Sequence, residues 1–294
     1  MGWMRNLVAF ASSLGLAASV GCATNAATGK YQFNAMNRDE EIKTGEEAKP
    51  QLIKDYGGQM KSPQLNEYVA EVGMKLVNQV EDPEKRNLPW EFIVLDSDVI
   101  NAFSLPGGKV FMSRSLMQEF DSEAELAGVL GHEIGHVAAE HAEQRMAEAQ
   151  GVNWAATIGS AVVGAVGGSA AGTLSQATQV VVGGVGEGFL LKWGRDEESE
   201  ADALGVRYMI KAGYDPQGLI DVMTVLQAAM QGEREAEFLS THPYPETRLV
   251  RLKALLNKEY PGTLGSPKLT MGRESFAQRA RPYLPPPGTK APAK

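Results

Sequence analysis

Residues 132–136 read His-Glu-Ile-Gly-His, and this HExxH motif lies in a stretch whose pattern predicts an α-helix. At about 3.6 residues per turn, a helix stacks His132 and His136 on one face, where two imidazoles can bind one metal ion. Glu133 then lies close enough to take a proton from a water molecule that the metal activates. The motif predicts a hydrolytic zinc site, with one Zn²⁺ per chain. The alternative is a solvated helix that carries these residues by chance.

The residues around the motif also favour a buried helix. Ser122 and Glu125 form a Ser-x-x-Glu capping box at its expected start. Apolar residues then recur at helical spacing, which predicts one inward face: Leu126, Val129, Leu130, Ile134 and Val137. Three glycines in the same stretch predict that another backbone approaches closely, although a merely weak helix is the alternative: Gly128, Gly131 and Gly135.

Length and charge limit the class of protein. The chain has 294 residues, of which 43% are hydrophobic, enough for one sizeable core. Its net charge is −8 and it has no long basic run, so nucleic acid is not an expected partner.

The first residues resemble a bacterial lipoprotein leader. Arg5 precedes the apolar run Leu7 to Val20, which is followed by Gly21 and by Cys22, the single cysteine, so residues 1–21 are predicted to be a signal peptide. Ser19-Val20-Gly21-Cys22 resembles a lipobox, which predicts lipidation of Cys22; an ordinary signal peptide with an incidental cysteine is the alternative. The next residue is Ala23 and not Asp, which by resemblance to lipoprotein sorting in Gram-negative bacteria favours the outer membrane. Residues 22–44 are predicted to be a polar tether, and 45–258 the folded domain.

Two short strands are predicted before the motif, at Trp90–Leu95 and Val110–Met112, with turn residues between them. We interpret this region as a β-hairpin. An edge strand there could bind an extended substrate, and a purely structural hairpin is equally compatible with the pattern.

Two further segments have unusual composition. Residues 151–188 are rich in Gly, Ala and Val, and their place in the chain predicts a flap over the site, with a membrane span as the weaker alternative. Residues 259–294 are predicted to be a proline-rich tail, extended and mobile from Arg279 onwards.

The third metal ligand must lie outside the motif. A metzincin would place glycine and histidine after His136, but this chain has Ala139 and Ala142 there, which excludes that class. Downstream, residues 195–202 contain three glutamates that compete for the role: Glu197, Glu198 and Glu200. His141, five residues after His136, is expected to be solvated on another face of the helix.

Several motifs, taken in order, resemble the HtpX-like zinc metallopeptidases, which are related to the CAAX prenyl proteases. They are HExxH, the Glu-x-x-Ala-Asp of residues 198–202, His242-Pro243-Tyr244-Pro245-Glu246-Thr247-Arg248, and the earlier Asn101-Ala102-Phe103 and Pro106-Gly107-Gly108. The resemblance covers about residues 45–258. It implies an α+β fold: a mainly α-helical, gluzincin-type domain with a small β-sheet beside the HExxH helix, in a soluble, lipid-anchored branch of the family.

The resemblance also implies roles for single residues. Glu198 becomes the third zinc ligand, and Asp202 orients a zinc-bound histidine. His242 either stabilises the oxyanion of the tetrahedral intermediate or acts as a fourth ligand that closes the site into a latent state. Arg248 is expected to anchor the intermediate or the loop that carries His242.

The function implied is that of a zinc endopeptidase which degrades misfolded or misassembled cell-envelope proteins. It would act at the periplasmic face of the outer membrane, attached through Cys22, with the outer-membrane assembly machinery as a candidate partner. Two alternatives stay open: a holdase-like assembly factor with a structural zinc, and a zinc aminopeptidase.

Overall fold

The computed structural model describes residues 22–33, 36–148, 192–229, 238–243 and 245–286. The strands are β1 (Cys22–Thr24), β2 (Tyr31–Phe33), β3 (Glu91–Leu95), β4 (Ala102–Leu105) and β5 (Lys109–Ser113). The helices are α1 (Arg38–Asp55), α2 (Pro63–Val77), α3 (Pro83–Arg86), α4 (Arg114–Gln118), α5 (Glu123–Ala138), α6 (141–148 of the described residues), α7 (Arg195–Lys211), α8 (Gln217–Ala229), α9 (Phe238–Thr241), α10 (Pro245–Glu259) and α11 (Arg273–Arg279). The α+β, mainly helical fold class is confirmed.

Helix α5 carries the HExxH motif and lies at the centre of the domain. The Ser122 hydroxyl accepts a hydrogen bond from the amide of Glu125 at 3.2 Å and caps the first turn, as predicted. Every residue of α5 is buried, because α2, α7 and α8 pack around it. The motif is therefore held on a rigid element inside the core.

Helices α5 and α7 approach closely because small residues face each other. A Cβ added at Gly135 would lie 2.8 Å from the Ala201 carbonyl oxygen, so only glycine fits there. A Cβ at Gly131 would meet the backbone of Gly205 at 3.3 Å. The predicted close approach is confirmed, and its partner is the helix that carries Glu198.

The three-stranded sheet has the order β3-β5-β4. The two strands predicted from sequence, β3 and β5, pair in parallel, so the interpretation of them as a hairpin is wrong. The hairpin is formed by β4 and β5, joined by the Pro106-Gly107-Gly108 turn. Strand β4 escaped detection because its four residues immediately precede a strong turn signal.

The segment predicted to be a tether contains regular structure. β1 and β2 pair in antiparallel fashion, and residues 22–33, the N-terminal hairpin, pack on the domain. The Asn25 side chain donates to the Ala138 carbonyl at 2.9 Å, and Ala27 joins the core. Helix α1 begins at Arg38, capped by Asn37, so helical structure starts before Gly45.

The segment predicted to be a proline-rich tail also packs on the domain as far as the structure describes it. Helix α11 buries Phe276, and a 3₁₀ turn follows at Arg281–Tyr283. The Gln118 amide donates to the carbonyls of Pro285 and Pro286 at 3.1 and 3.3 Å, so the prediction of an extended, mobile segment from Arg279 is wrong for these residues. Proline lacks an amide donor but keeps its carbonyl acceptor.

Three predictions concern residues that the structure does not describe. The signal peptide (1–21), the flap (151–188) and the last residues of the tail (287–294) lie outside the described ranges. Within those ranges, no helix combines the length and apolar character needed to cross a membrane.

Candidate metal centre

Four side chains from separate parts of the chain converge at the α5–α7 contact. His132 and His136 come from α5, Glu198 from the first turn of α7, and His242 from the residue after α9. One donor atom from each lies within 4.8 Å of the other three, and all four side chains are buried. Glu198 on α7 reaches the histidines of α5 because small residues let the two helices touch.

The separations between these donor atoms suit one small cation. His132 Nε2 lies 3.1 Å from His136 Nε2 and 3.2 Å from His242 Nδ1. Glu198 Oε1 lies 2.9 Å from His242 Nδ1 and 3.4 Å from His136 Nε2. A tetrahedral zinc with bonds of about 2.0–2.1 Å places its ligand atoms roughly 3.3 Å apart. Three imidazoles and a carboxylate are also a donor set that zinc accepts, so the residues fit the metal.

Glu133 faces the same space from the neighbouring position on α5. Ser104 on β4 donates its hydroxyl to Glu133 Oε2 at 2.9 Å and approaches the Glu133 carbonyl at 3.2 Å. The other carboxylate oxygen, Oε1, lies 3.6 Å from His242 Nε2. Both of these atoms are buried and have no hydrogen-bond partner among the described residues. They are the polar atoms left for a reacting water or substrate.

A buried guanidinium holds two carboxylates of α7 in place. Arg248 on α10 donates to Asp202 through Nε at 2.9 Å and Nη2 at 2.6 Å, and its Nη1 lies 2.5 Å from Glu198 Oε2. Asp202 Oδ1 in turn lies 2.9 Å from His132 Nδ1. Burial alone would raise the pKa of Glu198, but the charge of Arg248 and the contacts with His242 and His136 together outweigh burial and keep that pKa well below its usual value.

His141 is buried, which corrects the expectation that it is solvated. Only 2% of it is exposed, and its Nδ1 lies 2.8 Å from His136 Nδ1. The expectation extended α5 past its true end: the helix caps at Ala139, and Glu140 adopts a left-handed φ of 61° that redirects the chain. No sequence signal marked that turn, because left-handed positions usually carry Gly or Asn.

Two aromatic rings that the sequence reading missed enclose the histidines. Trp193 stacks on His136 with ring centroids 4.5 Å apart, and Phe238 stacks on His242 at 4.4 Å. Trp193 lies two residues before α7, and this proximity to the helix that carries Glu198 was the signal available in the sequence. Burial lowers the pKa of His136 well below its ordinary value, so this imidazole is neutral and offers a lone pair.

The three competing carboxylates of α7 have different partners. Glu197 pairs with Arg145 at 2.6 Å, and Glu200 lies 3.2 Å from His141 Nε2. Only Glu198 enters the four-residue group. The structure thus brings together every residue predicted for the site, while the individual roles remain predictions.

Comparison with known proteins identifies related chains. The Escherichia coli K12 beta-barrel assembly-enhancing protease is 31% identical over 203 residues, which are 68% of this chain and 40% of that protein. The Schizosaccharomyces pombe mitochondrial metalloendopeptidase OMA1 is 28% identical over 77% of this chain and 64% of its own length. The E. coli metalloprotease YcaL is 30% identical over 64% of this chain and 70% of its own length. The match thus spans only about 40% of the assembly-enhancing proteases.

A family model covers most of the described core. Residues 63–256 match the model of peptidase family M48, a range that begins at α2, ends within α10 and includes all four converging side chains. The match agrees with the HtpX-like resemblance and with the geometry of the site. The chain therefore belongs to peptidase family M48.

Proposed function

We propose that this chain is a zinc-dependent endopeptidase that cleaves misfolded or misassembled cell-envelope proteins. The observation that carries the proposal is the convergence of His132, His136, Glu198 and His242 beside Glu133. The substrate class is supported by the name of a relative, a beta-barrel assembly-enhancing protease.

In this proposal His132, His136 and Glu198 would hold a zinc ion, and the bound ion would supply polarisation of the scissile carbonyl and a lower pKa of water, toward about 7. Glu133 Oε1 takes the proton from the attacking water and later delivers it to the leaving amine. Ser104 holds the other carboxylate oxygen and so fixes the orientation of Glu133. Asp202 and Arg248 position His132 and Glu198, which their buried contacts favour over direct contact with substrate.

His242 gives the site two candidate states. Its Nδ1 lies among the donor atoms and its Nε2 faces Glu133, so in this arrangement it can serve as a fourth ligand. A zinc with four protein ligands has no position for water, and the enzyme would be latent until His242 moves away. With His242 displaced, its imidazole could instead stabilise the developing oxyanion.

Strand β4 is the element best placed to bind substrate. It pairs with β5 on one side only, among the described strands, and it carries Ser104 beside Glu133. A peptide added in extended form along β4 would run past Glu133 with its backbone hydrogen-bonded. That mode does not require a free N-terminus, which supports an endopeptidase over an aminopeptidase.

The location of the protein is part of the same proposal. Lipidation of Cys22 would anchor the chain at the periplasmic face of the outer membrane, where unfolded envelope proteins and their assembly machinery are available as partners. Labelling with a radioactive or clickable fatty acid tests this, since Cys22→Ser should abolish incorporation if Cys22 is the acylated residue.

Glu133→Gln tests the chemistry. The variant should bind zinc as the wild type does and lose cleavage of an unfolded envelope protein, because the amide cannot accept the proton. Wild-type cleavage by this variant would refute the assignment of Glu133. Undiminished assembly of envelope proteins by the inactive variant would instead favour an assembly factor with a structural zinc.

Peptides with blocked N-termini separate the two peptidase types, since only an endopeptidase cleaves them.

His242→Ala tests the latent state. Raised turnover with retained zinc would support a closing fourth ligand, because the substitution opens a position for water. Complete loss of activity with retained zinc would favour the oxyanion role.

A further inference from the structure

A line of polar contacts leads from His136 to the surface of the protein. His136 Nδ1 lies 2.8 Å from His141 Nδ1, and His141 Nε2 lies 3.2 Å from Glu200 Oε2. The other oxygen of Glu200 lies 2.9 Å from Nζ of Lys30, which belongs to the N-terminal hairpin. We call His141, Glu200 and Lys30 the supporting chain.

Only one arrangement of protons satisfies these contacts when His136 binds a metal through Nε2. That nitrogen must offer its lone pair, so the proton of the neutral ring sits on Nδ1 and is donated to His141 Nδ1. His141 then carries its own proton on Nε2 and donates it to Glu200. The carboxylate accepts from both His141 and Lys30, and each donor has an acceptor.

The backbone around His141 is held in place by the same hairpin. Glu140 has a left-handed φ of 61°, a conformation that costs a non-glycine residue free energy and needs support. The Gln32 amide donates to Glu140 Oε2 at 2.8 Å, and Lys85 Nζ lies 3.1 Å from Oε1. The Asn25 amide satisfies the carbonyl of Ala138 at the end of α5.

We propose that His141 is a positioning residue that fixes the ring of His136 for metal binding, and that Glu200 and Lys30 make the docked N-terminal hairpin part of that support. The inference rests on the proposed function in one respect, that His136 binds zinc through Nε2. It assigns a task to a histidine outside the HExxH motif and to a hairpin outside the matched family region, residues 63–256.

Zinc affinity of the full-length protein tests the proposal, measured by competition with a chromophoric chelator. His141→Leu should raise the Kd for Zn²⁺ by about 10–100-fold, the effect typical of losing an outer hydrogen-bond partner of a metal ligand. His141→Asn should recover much of the affinity, because its Oδ1 can still accept from His136 Nδ1. A merely structural role would give the two variants equal losses.

The absorption spectrum of the Co²⁺-substituted protein gives an independent readout. His141→Leu should change the visible bands, since the orientation of a ligand changes, and His141→Asn should resemble the wild type. Glu197→Ala is the matched structural control: Glu197 lies on α7, as Glu200 does, but it is paired with Arg145 and is outside the supporting chain. It should lower the melting temperature and leave both the Kd and the spectrum unchanged.

The outcomes separate this inference from the proposed function. Stoichiometric zinc in the wild type, with unchanged Kd in both His141 variants, would overturn the inference alone. Absence of zinc binding by the wild type would overturn the proposed function itself. If His141→Leu does not fold, Glu200→Ala takes its place. A Kd for Zn²⁺ equal to that of Glu197→Ala would then refute the proposal that the supporting chain positions His136.

Discussion

The two histidines of the HExxH motif are supported in different ways. His132 Nδ1 faces Asp202, which is locked by the buried Arg248. His136 Nδ1 faces a second imidazole, His141, and the contacts continue through Glu200 to an exposed lysine. His132 is thus held by charges within the core, and His136 by a line of contacts that ends in solvent.

The HExxH motif has a histidine at each end, but the two histidines have different surroundings in the folded protein. On the His132 side, removing one partner leaves charges buried without compensation, which is costly. On the His136 side, each successive residue is more exposed, and solvent screens the outer contacts. We therefore expect the effects of substitution to fall steadily from Arg248 to Lys30.

Arg248→Ala should have the largest effect. It removes the guanidinium that compensates the charges of the buried Glu198 and Asp202 carboxylates in the metal-free protein, which should cost about 3–5 kcal/mol of unfolding free energy. Urea unfolding of the metal-free protein measures this. Arg251→Ala on the same helix is the control, since Arg251 is exposed and should change stability little. Equal stabilities of the two variants would contradict a buried charge lock.

Asp202→Asn should have the next largest effect, on metal binding. The amide keeps an acceptor for His132 Nδ1 but loses the charge that polarises the ring, so the Kd for Zn²⁺ should rise about 10–100-fold. Glu200→Gln, one residue further from the metal, should raise it less. Chelator competition on both variants compares the two supports directly. A larger loss in Glu200→Gln would reverse the proposed order.

Lys30→Ala should have the smallest effect. The lysine side chain is 59% exposed, and an exposed ion pair contributes less than about 1 kcal/mol, so the Kd should change by no more than about fivefold. In 1 M salt, where the Debye length is about 3 Å, even this change should vanish. Lys43→Ala, which breaks an exposed ion pair with Glu47, is the matched control and should leave the Kd for Zn²⁺ unaltered at both salt concentrations. A salt-independent loss in Lys30→Ala would mean that the hairpin acts through packing and not through this ion pair.

The sequence predicted the elements whose signals are local. The capping box at Ser122, the apolar periodicity of α5 and its glycines all agree with the structure. The resemblance to the HtpX-like metallopeptidases implied that Glu198 and His242 lie beside the HExxH residues, and the structure brings them together although they are far apart in the chain.

The failures concern features that depend on distant residues. His141 was misplaced because helical geometry was extended through Glu140, whose left-handed conformation is held by Gln32 and Lys85. β3 and β5 pair in parallel, and β4 lies between them in the chain and forms the hairpin with β5. The four residues of β4 lack a clear alternation of apolar and polar side chains, so the sequence did not predict this strand. Composition alone also placed two segments outside the fold, the N-terminal hairpin and residues 259–286. In the structure a contact to Ala138 docks the hairpin, and a contact to Gln118 docks the second segment.

The most direct test of the account is a crystal structure of the purified protein with anomalous data collected at the zinc absorption edge. We expect one strong peak per chain, within about 2.0–2.1 Å of a nitrogen of His132 and of His136, and next to a Glu198 oxygen. A peak at other residues, or none in protein that still cleaves unfolded substrate, would contradict the assignment of these side chains as the metal site.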